Sequence, residues 1–177
     1  GMYPDLPLVG IEPAVKPAAQ NHRGEKVAVM ATPLTLHEEK FKQLVKRYEN
    51  LATIIPVPCP DLVEYVEKGI LEGPELEGYL KDVLTPCLQE GVKAVVLGCT
   101  HFPLVKAAIG KVVGESVRIY DGGEGTARQA KCLLAAKNLC TDQEKGHICF
   151  ESSAPEKEAY YEALYRKAAH IDSRVKL

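Results

Sequence analysis

The chain has 177 residues, 46% of them hydrophobic and 26% charged, with a formal net charge of −2. That apolar share fills the core of one large or two small domains, and the near-neutral balance leaves no basic footprint for nucleic acid or an anionic membrane. No apolar stretch approaches the ~20 residues needed to span a bilayer, and the N-terminus has no charged-then-apolar leader, so a cytoplasmic protein is expected. Gly1 ahead of Met2 reads as a remnant of cloning.

In chain order, Pro7 to Ile11 (PLVGI) reads as a strand closed by Glu12-Pro13, and Ala14 to Gln20 as a short helix. Lys26 to Ala31 (KVAVMA) is the next strand and ends at Thr32-Pro33. A helix follows from Thr35, because Phe41, Leu44, Val45 and Tyr48 recur at helical spacing, and Thr35 with Glu38 forms a capping box. Thr53 to Val57 is a third strand, which Pro56 pushes toward a sheet edge. Asp61 to Lys68 is a short helix stopped by Gly69, and Pro74 opens a longer one that runs to Gly91.

The stretch Ala94 to Pro103 (AVVLGCTHFP) organises the rest. Four apolar residues end at Gly98, a polar triplet of Cys99, Thr100 and His101 follows, and Phe102-Pro103 starts a helical pattern. Such a run is a strand buried on both faces of a parallel sheet, so its triplet lies at the carboxyl end, where open α/β sheets bind ligands. Beyond it, Ser116 to Tyr120 predicts a strand leaving through Asp121-Gly122-Gly123, and Glu124 to Leu139 a helix with Ala127, Ala130, Leu133 and Leu134 inward. His147 to Phe150 is a further candidate strand. Ser153 to Glu156 is a capping box before a last helix that carries Tyr160, Tyr161, Leu164, Tyr165 and Ala168 on one stripe. The alternation predicts an α/β fold, a three-layer doubly wound parallel sheet of about four strands followed by a C-terminal βαβα segment. The sharpest polar break is Cys140 to Gly146, with a subtler boundary between Ile109 and Ser116.

Six cysteines stand at 59, 87, 99, 132, 140 and 149, with no C-x-x-C pair and no zinc-type Cys/His spacing. Free thiols in a reducing compartment are expected, with no metal, and Cys87 and Cys132 fall on helical patterns as packing residues. Cys99 differs: a thiol at a helix N-terminus or beside an imidazolium becomes a base or a nucleophile, and both the following helix and His101 are at hand. Glu12, and Thr32 with Thr35, leave other strands of the same sheet, and Glu67 ends the helix after the third strand. The threonines offer hydroxyls and helix-end amides to a carboxylate, or simply cap the helix.

These residues resemble the cofactor-independent glutamate racemases. The matching stretches are LVGIEPAVKPAA (Leu8 to Ala19), ATPLT (Ala31 to Thr35), PCPDLVEYVEKG (Pro58 to Gly69), VVLGCTHFPLV (Val95 to Val105), YDGGEGTARQA (Tyr120 to Ala130) and HICFESSAPEKEAYYEAL (His147 to Leu164). The resemblance implies conversion of L-glutamate to D-glutamate for peptidoglycan precursors by two cysteines on opposite faces of the substrate, with no cofactor or metal. By position, Cys99 resembles the second catalytic cysteine, His101 its assisting histidine and Glu67 the nearby acid, while Thr32, Thr35 and Thr100 resemble substrate-binding residues. The Cys-Asn-Thr stretch that carries the first cysteine, and an early Asp-Ser pair, do not occur in this sequence.

The resemblance thus implies that residues 5–112 form the lobe carrying the GCTH motif. Residues 113–177 would pack on an absent N-terminal lobe or on a partner chain, so the partners expected are a small amino acid and either a second copy or that missing half. The 177 residues alone are expected not to racemise glutamate at the usual rate, since one of the two bases is missing. The alternatives are an amino-acid-binding or regulatory module that keeps the threonines without the chemistry, and a thiol hydrolase built on Cys99 and His101, for which no oxyanion motif is recognisable.

Overall fold

Two strands buried on both faces form the centre of the sheet. In β1 (Lys26–Ala31) the residues Val27 to Ala31 have no exposed surface, and β3 (Ala94–Leu97) is buried throughout. The computed structural model describes residues 6–141 and 147–174. Beside the central pair lie β2 (Thr53–Pro58) and β4 (Arg118–Tyr120), in the order β2-β1-β3-β4 with every pairing parallel. Pro56 accordingly sits on an edge strand, where a missing donor costs least.

Alternation along the strands divides the core into two layers. Ala28, Met30, Val95 and Leu97 face one way and pack with α4 (Leu62–Glu67), α5 (Pro74–Gln89) and α6 (Lys106–Val113). Val27, Val29, Ala94 and Val96 face the other way, against α1 (Val15–Asn21) and α3 (Glu39–Tyr48). The chain therefore leaves β1 toward one layer, through α2 (Pro33–His37) and α3, and leaves β3 toward the other through α6. Departure to opposite sides from adjacent strands opens a crevice beyond their carboxyl ends, the topological switch point of a doubly wound sheet. Thr32 and Cys99 are on its two lips.

Several local expectations are corrected. Pro7 to Ile11 forms no strand: Leu6, Leu8 and Ile11 are more than half exposed, and the segment runs as an irregular strap. With no ladder partner beside it, a short apolar run has nothing to fix it as a strand. The cap of the helix after β1 is Thr32, whose Oγ1 accepts the Thr35 amide at 3.3 Å with Pro33 in the first turn. Glu38 is extended (φ −65°, ψ 138°) and divides α2 from α3, so the Thr35–Glu38 box does not form.

Strand β4, read from sequence as part of the C-terminal segment, completes the first sheet. The helix after it, α7 (Gly123–Ala136), is shorter than expected and has no buried residue, and its Cys132 is exposed rather than packed. Helical periodicity marks an apolar face without saying what covers it. No strand forms over His147 to Phe150, so the C-terminal segment is not βαβα. Residues 142–146 of the polar break lie outside the described residues. Before α8 (Glu158–Arg174), Ser152 rather than Ser153 supplies the reciprocal bonds: its Oγ accepts the Ala154 amide and its own amide donates to Glu158, both at 3.1 Å. Leu164 of α8 is buried in the layer of α4 and α6. Among the described residues no helix is long and apolar enough to cross a membrane.

Candidate active site

Gly98 sets the approach to the crevice. Its amide donates to the Met30 carbonyl at 2.8 Å, and a Cβ at this position would stand 2.7 Å from that same oxygen and 3.3 Å from the Ala31 Cβ. Only glycine lets the chain turn this tightly against β1. The turn presents the Cys99, Thr100 and His101 triplet ahead of a short 3-10 helix, Phe102–Val105, whose Phe102 and Val105 are fully buried. An anchored apolar pair directly after the triplet holds it at the rim.

Three sequence-predicted residues meet there. The Cys99 Sγ lies 3.8 Å from His101 Nδ1, and His101 Nε2 lies 2.9 Å from Glu67 Oε1. An ionised carboxylate only accepts, so Nε2 carries the proton and the lone pair of a neutral ring lies at Nδ1, toward the thiol. Transfer of the thiol proton to Nδ1 gives a thiolate beside an imidazolium, with Glu67 stabilising the positive ring. Cys99 is half-buried, and the His101 and Glu67 side chains are 32% and 41% exposed, so the relay is reachable from solvent.

Two hollows flank it. One, of about 270 Å³, is lined by Cys99, Thr100, Gly98 and Pro103, by the strap Ile11 to Pro13, and by Asp121 to Gly123. The other, of about 330 Å³, lies under α8 and is lined by Glu67, Thr100, His101, Leu104, Tyr161, Leu164 and Tyr165. Thr100 is exposed between them. Thr32 and Thr35 bond to each other through their hydroxyls at 3.0 Å at the exit of β1 and cap α2; unlike Thr100, neither lines either hollow. Glu12, expected at a strand end, instead reaches the Cys99 hollow from the strap.

Sequence reasoning missed the Asp121 contribution, because the strand before it was assigned to another segment. Asp121 Oδ2 accepts from Lys106 Nζ at 2.9 Å and Oδ1 accepts the Gly123 amide at 3.0 Å. Partial burial pushes its carboxyl up, but the Lys106 hydrogen bond, the Gly123 amide and the Lys106 charge outweigh it and hold the group below its ordinary value. The pair ties α6, which follows Cys99, to the exit of β4. Gly122 is needed beside it: a Cβ would stand 2.9 Å from the Glu12 carbonyl of the strap.

The other thiols are differently placed. Cys59 is fully buried, with its Sγ 3.4 Å from the Val57 carbonyl; burial above all, then the charge of Cys87, pushes its thiol up to about 12. Burial likewise raises Cys87, whose Sγ lies 3.1 Å from the Leu84 carbonyl. Cys132, Cys140 and Cys149 are exposed, and Cys99 is the one thiol among the residues lining the two hollows. Among the described residues no group of three or more His, Cys, Asp or Glu side chains is placed to hold a metal ion.

The sequence model of a family described as Asp/Glu/Hydantoin racemase matches residues 3–130. A glutamate racemase of Clostridium perfringens is 44% identical over 156 residues, 88% of this chain and 60% of that protein. One from Clostridium novyi is 46% identical over 147 residues, 82% of this chain and 57% of that protein. The crystal structure of Escherichia coli glutamate racemase, in complex with L-glutamate and the activator UDP-MurNAc-Ala, superposes with a TM-score of 0.74 at 31% identity, covering 92% of this chain and 62% of that one. The chain thus spans about 60% of the length of the curated relatives it matches.

Proposed function

Because the chain belongs to the Asp/Glu/Hydantoin racemase family, we propose that it supplies one of the two proton-transfer faces of a cofactor-independent glutamate racemase. The observation that carries this reading is the Cys99–His101–Glu67 relay at the switch point of the sheet, reached through a hollow large enough for a small amino acid. As a thiolate, Cys99 takes the proton from Cα; as a thiol, it returns one to the same face of the carbanion. His101 Nδ1 exchanges that proton with the sulfur, and Glu67 stabilises the ring while it is positive. Thr32, Thr35 and Thr100 receive the carboxylates of the substrate.

The likeness of the chain to glutamate racemases, one of them solved with L-glutamate, supports glutamate as the substrate. Its product, D-glutamate, would feed peptidoglycan precursors in the cytoplasm. Inversion requires a second proton-transfer group facing Cys99 across Cα, and the hollows hold no second thiol. The 177 residues alone therefore exchange the Cα hydrogen from one face without racemising at the usual rate. The uncovered apolar side chains Leu6, Leu8, Ile11 and Leu34 support a covering surface, a further lobe or a second copy. Incubation with L- and D-glutamate in heavy water tests the reading: Cα deuteration of one enantiomer, lost in Cys99→Ala, supports it, and binding without exchange favours an amino-acid-binding module.

A further inference from the structure

Glu67 is the last residue of α4, a helix of 6 residues too short to hold its own end in place. Its carboxylate reaches His101 at 2.9 Å, and that distance depends on where the end of α4 sits. The carbonyls at a helix C-terminus lack intrahelical partners. Helix α8 takes one such carbonyl and one just past it: the Tyr160 hydroxyl donates to the Glu67 carbonyl, on the last residue of α4, and Lys167 Nζ donates to the carbonyl of Gly69, two residues beyond, at 2.7 Å. The two donors are separated by about two helical turns, which puts them on one face of α8. Between them Leu164 is 8% exposed and shares the core with Val66 and Phe102, the residues that precede Glu67 and follow His101. The Lys167 ammonium also lies at the negative end of α4, where a cation is favoured.

From this arrangement we infer that α8 is a strut for the Glu67–His101 hydrogen bond, with Tyr160 and Lys167 as its positioning residues. The inference rests on the reading of Cys99, His101 and Glu67 as one relay. Helix α8 thereby acts on the relay through the end of α4: by fixing that end it keeps the proton of His101 on Nε2 and leaves Nδ1 open to the thiol. The strut requires neither glutamate nor a second lobe.

The test uses the 177-residue chain with Tyr160→Phe, Lys167→Met, the two together, and Glu67→Gln. Imidazole ¹⁵N NMR reads the His101 tautomer, and peptide-resolved iodoacetamide labelling at neutral pH reads the rate at Cys99. The expected result is that the double variant loses the Nε2–H preference and slows Cys99 labelling roughly 3- to 10-fold, as loss of about one hydrogen bond's net worth would do. Glu67→Gln should slow it as much or more, adding the strut changes in that background should alter nothing further, and Lys167→Arg should retain the parent rate. A double variant that melts earlier yet keeps the tautomer and the Cys99 rate, with Glu67→Gln still slowing it, overturns the strut and leaves the relay standing. An unchanged rate in Glu67→Gln overturns both.

Discussion

His101 Nε2 stands 2.9 Å from Glu67 Oε1, although 34 residues separate them in the chain. One residue leaves β3 and the other ends the helix after β2, so the contact depends on the crossover between strands rather than on local sequence. It orients the ring whose other nitrogen faces Cys99. Loss of the ring itself, in His101→Asn, should reduce Cα exchange by roughly 10²- to 10⁴-fold, the range for a positioned acid or base. Glu67→Gln keeps the ring and should cost less. Rates measured by mass spectrometry of glutamate after timed incubation in heavy water check the order.

The thiols should separate by burial. Cys59, pushed up to about 12, and Cys87, also raised, have no ionised sulfur at neutral pH and no path for a reagent. In the folded chain iodoacetamide should label Cys99, Cys132, Cys140 and Cys149 and spare these two, which react only in denaturant. Peptide mapping of labelled protein decides it.

Acid should weaken the Lys106–Asp121 tie. The folded carboxyl lies below its ordinary value of 3.8, so its stabilisation is fully present above that value and is lost as pH falls through the folded one. Asp121→Asn should cost about 1–2 kcal/mol at neutral pH and flatten the loss of stability in acid. Urea unfolding at a series of pH values from neutral to strongly acid reads both effects.

Association follows from uncovered apolar surface. Leu8 and Leu34 are 78% and 75% exposed on the strap and on α2, and Leu134, Leu139 and Ile148 are exposed on and after α7. Sizing chromatography with light scattering should show a species heavier than one chain as concentration rises, and Leu8→Ser with Leu34→Ser should shift it toward the monomer. Elution as a monomer at every concentration would remove this element of the account.

The sheet and the relay were legible in the sequence for different reasons. KVAVMA and AVVL are continuous apolar runs closed by Thr-Pro and Gly, which have few readings other than buried parallel strands. Cys99 and His101 lie within one turn of each other, so their proximity needs no tertiary information. Glu67 was placed on the same rim by the expected strand order, but its role beside Cys99 and His101 came only with the resemblance, since that contact lies across a crossover. Asp121 was hidden because the strand before it pairs with β3, a choice that periodicity does not encode. PLVGI reads as a strand by composition and is a strap, because a ladder needs a neighbour that the run itself does not specify. The capping errors have a similar origin: Thr32 and Thr35 both suit an N-cap, and Pro33 in the first turn decides for Thr32.

The most direct test of the account is Cα deuterium uptake by L- and D-glutamate incubated separately with the 177-residue chain in heavy water, beside Cys99→Ala. Uptake into one enantiomer with its configuration retained is expected, and none in the variant. Full interconversion of the enantiomers by these residues alone, or uptake that survives Cys99→Ala, would contradict it.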